Sequence, residues 1–214
     1  YDISFICGRY ECSRTIILKK FAHLNNIPFL SFSNVNNHDS IDIISKFESD
    51  LFVSLSFDQI FKKHILELPK LGSINLHATK LPDFKGRYCF SWMLLNDVKE
   101  SAITVHYIDE SIDTGDIIIQ YPVCISDEDD LSSLFSRSVD ISSTVILQAL
   151  SLIQSKCVLP IPQSSFVHRK PIICNSITDD DLFIDWSSTD RLIFNKIRAF
   201  SRPGPIARTR LDTG

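Results

Sequence analysis

Asn75, His77 and Asp113 carry the strongest chemical hint in the chain. Asn75 and His77 stand two apart in the run Gly72-Ser73-Ile74-Asn75-Leu76-His77. Side chains alternate across a strand, so Ile74 and Leu76 share one face while Asn75 and His77 share the other. A carboxamide NH2 donates hydrogen bonds, an imidazole takes and gives protons near neutral pH, and a carboxylate orients such a ring. That set suits acid–base chemistry with an amide donor for a developing oxyanion. Each residue also has a plain alternative. His77 fits a hydrogen-bonded strand end, Asn75 a cap, and Asp113 an ordinary turn residue.

Open α/β sheets place ligands at the C-terminal ends of their strands, where Asn75 and His77 fall. The following loop, residues 78–86, mixes Pro82 with Gly86 and is long for a strand exit. The second segment, residues 104–118, runs from a strand through an acidic turn holding Asp113-Thr114-Gly115 and out into extended chain. His106 alternates with Thr104 and reads equally as an interior histidine or as a wall of the site.

The elements that must position these residues follow from periodicity. Residues 1–7 read as a strand ending at Gly8, and residues 14–25 as a helix with an apolar stripe of Ile17, Leu18, Phe21 and Leu24. Residues 29–32 form a short strand. A helix capped by Asp39 or Ser40 carries Ile41, Ile44 and Phe47, and residues 51–55 are the next strand. A short helix spans 57–66, with Pro69 as its stop. Strands follow at 71–77, 102–108, 117–121 and 123–125. A core helix starts near Phe90 and Trp92. Ser126 with Asp129 resembles a capping box opening a long helix to about Ile153. Residues 156–178 read as an irregular connector, and a last helix covers about 188–200, before Pro203-Gly204-Pro205. The alternation implies an α/β fold with a mostly parallel sheet flanked by helices. We expect one domain over residues 1–155 and a linker with a helical extension over 156–214.

Composition narrows the classes. Of the 214 residues 44% are hydrophobic, and the net charge is −4, so nucleic acid is not the favoured partner on charge. Six cysteines, at 7, 12, 89, 124, 157 and 174, show no zinc spacing and read as reduced, buried thiols. No apolar run reaches the length of a membrane span, and a cytoplasmic protein is expected. Gly-x-Gly-x-x-Gly, the P-loop and the Gly-x-Ser-x-Gly elbow are all absent from the sequence.

Taken together, Asn75-Leu76-His77, Leu81-Pro82-Asp83-Phe84-Lys85-Gly86 and Asp113-Thr114-Gly115 resemble the ordered motifs of the folate-dependent formyltransferases. The resemblance runs from about residue 50 to 153. Ile184-Asp185-Trp186 and Ile197-Arg198-Ala199-Phe200 are similar to that family's following segment. It implies a Rossmann-like formyltransferase fold, with N10-formyltetrahydrofolate as co-substrate and no metal. It also implies Asn75 as oxyanion donor, His77 as base or, protonated, a second donor, and Asp113 as the group that orients His77, raises its pKa and relays protons. It places the pterin between residues 52–60 and the 107–113 loop, with Phe57, Asp58, Gln59, Ile60, Ile108 and Asp109 as binding residues.

Two departures accompany the resemblance. The family loop reads Ser-Leu-Leu-Pro with Arg before the closing Gly, whereas this chain has Thr79-Lys80-Leu81-Pro82 and Lys85, which lacks the planar guanidinium fork. Residues 1–8 look like the family's second strand, so the first strand–helix unit is expected to be missing, with an apolar sheet edge exposed. The acceptor expected is an amino sugar on a nucleotide such as dTDP. Thr79, Lys85, Gly86, Arg87 and Tyr88 contact it, the aromatic by stacking and Arg87 on phosphate. Phe90 and Trp92 suit a core helix better. A homodimer is left open, and no membrane partner is expected. The alternatives are a methionyl-tRNA formyltransferase, a formyltetrahydrofolate hydrolase, and a non-catalytic ligand-binding protein on a degenerate formyltransferase fold.

Overall fold

The computed structural model describes residues 1–9, 13–166 and 170–210. Its elements run β1 (Ile6–Gly8), α1 (Ser13–Leu24), β2 (Phe29–Ser31), α2 (His38–Ser45), β3 (Phe52–Leu55), α3 (Lys63–Leu66) and β4 (Ser73–His77). They continue with β5 (Phe84–Gly86), α4 (Cys89–Leu95), β6 (Glu100–Tyr107), β7 (Ile117–Cys124), α5 (Leu131–Gln154), β8 (Ile172–Cys174) and α6 (Asp190–Ala199). Hydrogen-bonded neighbours form a sheet in the order β3, β4, β6, β7 and two separate pairs, β1 with β2 and β5 with β8. Both pairs are parallel, while β6 and β7 run antiparallel. This is the α/β class read from the sequence.

The chain divides into two compact units. One holds residues 1–75 and 107–115, the other residues 76–106 and 116–214. The first builds its core from Val35, Ile44 and Ile65, with Phe5, Leu30, Phe52, Phe57, Phe61 and Leu68 packed around them. Its helix α1 departs from expectation. Ala22 is buried, but Ile17, Leu18, Phe21 and Leu24 of the apolar stripe are all exposed, Leu24 by 79%. The stripe has the period of a core helix without being covered inside this unit.

The second unit packs α4 against α5 and α6, and α5 against β7. Met93, Leu94, Ile103, Val105, Leu134, Val145 and Phe200 are buried there. Arg191 ties α6 to Asp97 and Asp127, and with Lys99 it holds both carboxyls well below the ordinary carboxylate range.

Several boundaries differ from the sequence reading, each for a local reason. Asn37, not Asp39 or Ser40, caps α2, its side chain accepting from the Ser40 N–H. The α5 capping box is Asp130 with Ser133, four residues beyond the expected start; Asp129 instead accepts from the Ser126 N–H and hydroxyl in the preceding turn. The helix expected over 57–66 is confined to α3. Ser56 is left-handed at φ 54°, and the side chains of Asp58 and Gln59 are used on distant partners. β7 runs unbroken through Pro122, which lies opposite Ala102. As the last strand in its sheet it tolerates a residue without an N–H. The expected connector holds a strand, β8, paired with β5, which replaces the end of the expected loop over 78–86.

Among the described cysteines, Cys89 and Cys174 are buried and Cys7 half-buried, but Cys124 and Cys157 are exposed, against the expectation of burial. Burial pushes the Cys7 thiol up to about 11. Cys12 lies outside the described residues. No helix is long and apolar enough to cross a membrane, among the described residues.

Candidate active site

His77 ends β4 and is buried, with 9% of its surface accessible. Its Nε2 lies 2.9 Å from the Phe84 carbonyl oxygen and 3.9 Å from the Cys89 thiol. The His106 ring stands edge-on to it with centroids 6.5 Å apart. His106 is only 2% exposed, in keeping with the interior histidine that the sequence allows. Asn75 sits two residues earlier in β4.

The loop after β4 is folded on its own backbone. The Thr79 hydroxyl donates to the Phe84 carbonyl at 2.9 Å. The Thr104 hydroxyl donates to the Thr79 carbonyl at 2.7 Å and accepts from the Leu81 N–H and from Gln120 Nε2. Thr79 is 1% exposed, so its hydroxyl is committed inside the protein. Among the expected acceptor contacts, Lys85 is also buried, in β5, while Arg87 and Tyr88 are exposed at the start of α4. Gly86 is a packing position. It has φ +102°, and a Cβ there would lie 2.6 Å from the Cys174 carbonyl. No sequence signal marked Phe84 or Cys89, because one contributes a main-chain oxygen and the other is an isolated thiol.

Asp113 belongs to the turn between β6 and β7, where it adopts the left-handed conformation at φ 52°. The turn is organised by Asp109, whose carboxylate accepts from the Ser111 N–H at 3.0 Å and from the Thr114 hydroxyl at 2.6 Å. A Cβ on Gly115 would lie 1.9 Å from the Tyr107 carbonyl oxygen, so only glycine fits. The backbone of Ile108 continues the ladder, its N–H donating to the Ser73 carbonyl at 2.8 Å.

Residues 57–60 lie in the same unit as that turn. Asp58 pairs with Arg9 at 3.1 Å, and Gln59 accepts from the Val35 N–H at 2.9 Å. Phe57 packs in the core, its ring 5.5 Å from that of Phe61, while Ile60 is exposed. The side chains of Asp58, Gln59 and Asp109 thus serve the fold. Among the described residues no group of three or more His, Cys, Asp or Glu is placed to hold a metal ion.

A family model described as formyl transferase matches residues 7–150. A methionyl-tRNA formyltransferase of Fusobacterium nucleatum is 33% identical over 195 residues, 91% of this chain and 62% of that protein. The bifunctional polymyxin resistance protein ArnA of Wigglesworthia glossinidia brevipalpis is 32% identical over 194 residues, 89% of this chain and 29% of it. Among solved structures, that of WlaRD, a sugar 3N-formyl transferase in the presence of dTDP and 5-N-formyl-THF, is similar with a TM-score of 0.67. The two share 26% identity, and the match covers 94% of this chain and 80% of that one. The protein Rv3404c of Mycobacterium tuberculosis shares the fold at a TM-score of 0.73 and 16% identity, over 100% of this chain and 94% of that one. The chain spans about 62% of the length of the methionyl-tRNA formyltransferase it matches.

Proposed function

The chain belongs to the formyl transferase family, and on that premise we propose that it transfers a formyl group from N10-formyltetrahydrofolate to the amine of an amino sugar carried on a nucleotide. The observation that supports the reading is His77 at the end of β4, buried and hydrogen-bonded at its Nε2, in a strand that also carries Asn75. A buried, hydrogen-bonded imidazole and a carboxamide carried by one strand are suited to acyl transfer, where a proton must move and an oxyanion must be held.

In the proposed reaction the neutral amine attacks the formyl carbon and the C=O electron pair moves onto oxygen. The Asn75 side-chain NH2 donates to that oxyanion. His77 takes the proton released by the attacking nitrogen. When the oxyanion collapses, the bond from carbon to N10 breaks, and the proton is delivered to N10. Asp113 is assigned to relaying protons at this stage. The left-handed turn that carries it is held by Asp109 and Gly115. The folate is expected against residues 57–60 and the 107–113 turn, mainly through main-chain groups, and the nucleotide sugar near Arg87 and Tyr88, which are exposed.

A second reading has its own support. The methionyl-tRNA formyltransferase of Fusobacterium nucleatum shares 33% identity over 91% of this chain, which favours an aminoacyl-tRNA acceptor. The net charge of −4 weighs against a nucleic-acid acceptor bound by these residues. The deciding experiment offers purified protein N10-formyltetrahydrofolate with dTDP-3-amino and dTDP-4-amino sugars, or with methionyl-tRNA, and follows tetrahydrofolate release and formylated product. Formylation of an amino sugar that disappears in His77→Ala is the expected result. Formylation of methionyl-tRNA alone would replace the sugar reading, and turnover undiminished in His77→Ala would remove the assigned base.

A further inference from the structure

We infer that the loop from Thr79 to Phe84 is a clamp that fixes His77 in the Nε2–H tautomer, with Thr79 as its positioning residue, so that Nδ1 is the atom that gains and loses the catalytic proton. The inference rests on His77 being the acid–base residue of the proposed reaction.

A carbonyl oxygen only accepts, so the Nε2 that lies 2.9 Å from the Phe84 oxygen must carry a hydrogen. The opposite tautomer would set a ring lone pair against a carbonyl lone pair in a buried place, where unmatched polar atoms are most costly. With Nε2 occupied, proton exchange falls to Nδ1. The orienting role that a catalytic triad gives to a carboxylate is filled on this side of the ring by a main-chain oxygen.

The clamp depends on where the Phe84 oxygen is held, and three hydroxyl or amide side chains determine that. The Thr79 hydroxyl donates to the same oxygen at 2.9 Å, so this carbonyl receives two donors, one for each lone pair. Thr79 is itself anchored. Its carbonyl accepts from the Thr104 hydroxyl, which in turn accepts from the Leu81 N–H at 3.3 Å and from Gln120 Nε2 at 3.0 Å. Gln120 also donates to the Leu81 carbonyl at 2.8 Å. On the far side, the Asp83 carbonyl accepts from the Ile172 N–H at 2.8 Å as β5 joins β8. Cys89, with its thiol directed to the Gly86 carbonyl at 3.4 Å, fills the space beside Nε2. A threonine only 1% exposed and spent on this oxygen positions the base from one step behind the substrate.

Nitrogen NMR of 15N-histidine-labelled protein, with the His77 signals identified by their loss in His77→Gln, reads the tautomer without any turnover. Wild type is expected to show a protonated Nε2 and a bare Nδ1 above the titration of the ring. Thr79→Val, which keeps the shape and removes the hydroxyl, is expected to mix the two tautomers. It should also lower kcat by about tenfold, the equivalent of one neutral hydrogen bond. KM for both substrates should stay unchanged, and Thr79→Ser should restore both the spectrum and kcat. A wild-type spectrum with the proton on Nδ1 overturns the clamp, and so does Thr79→Val with unaltered tautomer and kcat. If Thr79→Val does not fold, the wild-type spectrum decides alone. An Nε2–H spectrum with no formylation of any amine would sink the proposed reaction and leave the clamp standing. Formylation by an Nδ1–H enzyme would do the reverse.

Discussion

Gly115 is pressed against Tyr107: a methyl group on its Cα would lie 1.9 Å from the Tyr107 carbonyl oxygen. That contact closes the turn on which Asp113 stands in the left-handed conformation. Gly115→Ala must therefore open the turn. The expected cost is about 1–3 kcal/mol of stability, the range for forcing atoms into a filled site. Urea unfolding should give that loss, and tetrahydrofolate binding should weaken together with it. A variant as stable as wild type with unchanged folate affinity would contradict the assigned role of this turn.

The sequence displayed this site unevenly, and the reasons are physical. The strand that carries Asn75 and His77 was legible because it is a short apolar run closed by turn residues, and β4 spans both. Asp109 shows a second duty that sequence does not display. A carboxylate in an acidic turn looks like a ligand group, yet this one accepts from Ser111 and Thr114 of its own loop. Phe84 was invisible because a main-chain oxygen has no residue signature. β5 and β8 were missed for a related reason. Each has three residues, and their pairing joins segments far apart in the chain. The α1 stripe shows the limit of periodicity, which marks an apolar face without saying what covers it.

Arg198 lies in the run Ile197-Arg198-Ala199-Phe200, and the fold gives it a structural duty. It is 5% exposed, donates to Asn195 Oδ1 at 2.9 Å, and reaches the Ser126 carbonyl at 2.7 Å. A third arm reaches Asp97. This pins α6 to the turn that starts α5. Lysine keeps the charge but cannot span three directions from one nitrogen. Arg198→Lys should lose about 1–3 kcal/mol through unpaired buried acceptors. A denaturant midpoint equal to wild type would refute that.

Asp129 makes stability depend on acid in a defined direction. Burial acts to raise its carboxyl, but hydrogen bonds from Arg137, the Ser126 N–H and Ser133 outweigh it and hold the group at about 2. An unfolded aspartate titrates near ~3.9. The folded value is the lower, so its contribution is complete above the unfolded value and is lost as pH falls from about 4 towards 2. Asp129→Asn should flatten this part of the pH–stability curve while lowering stability at neutral pH. Thermal melts of both proteins between about pH 2 and 7 test it. An identical slope in the variant would assign the acid sensitivity to other carboxyls.

Two substitutions at His77 separate holding the ring from moving the proton. Glutamine can place its amide nitrogen near the position of Nε2 and still donate to the Phe84 carbonyl, whereas asparagine is too short to do so. Neither side chain can act as a base near neutral pH. Turnover should therefore fall in both variants by about 10²–10⁴-fold, the usual contribution of a positioned acid–base residue. Stability should split them. His77→Gln should unfold close to wild type, and His77→Asn should lose about 1–3 kcal/mol, because the buried Phe84 oxygen keeps the Thr79 donor alone. Equal stability of the two variants would mean that the 2.9 Å bond to Phe84 contributes little to folding. Turnover retained in glutamine alone would mean that the donor at Nε2, rather than a base, carries the chemistry.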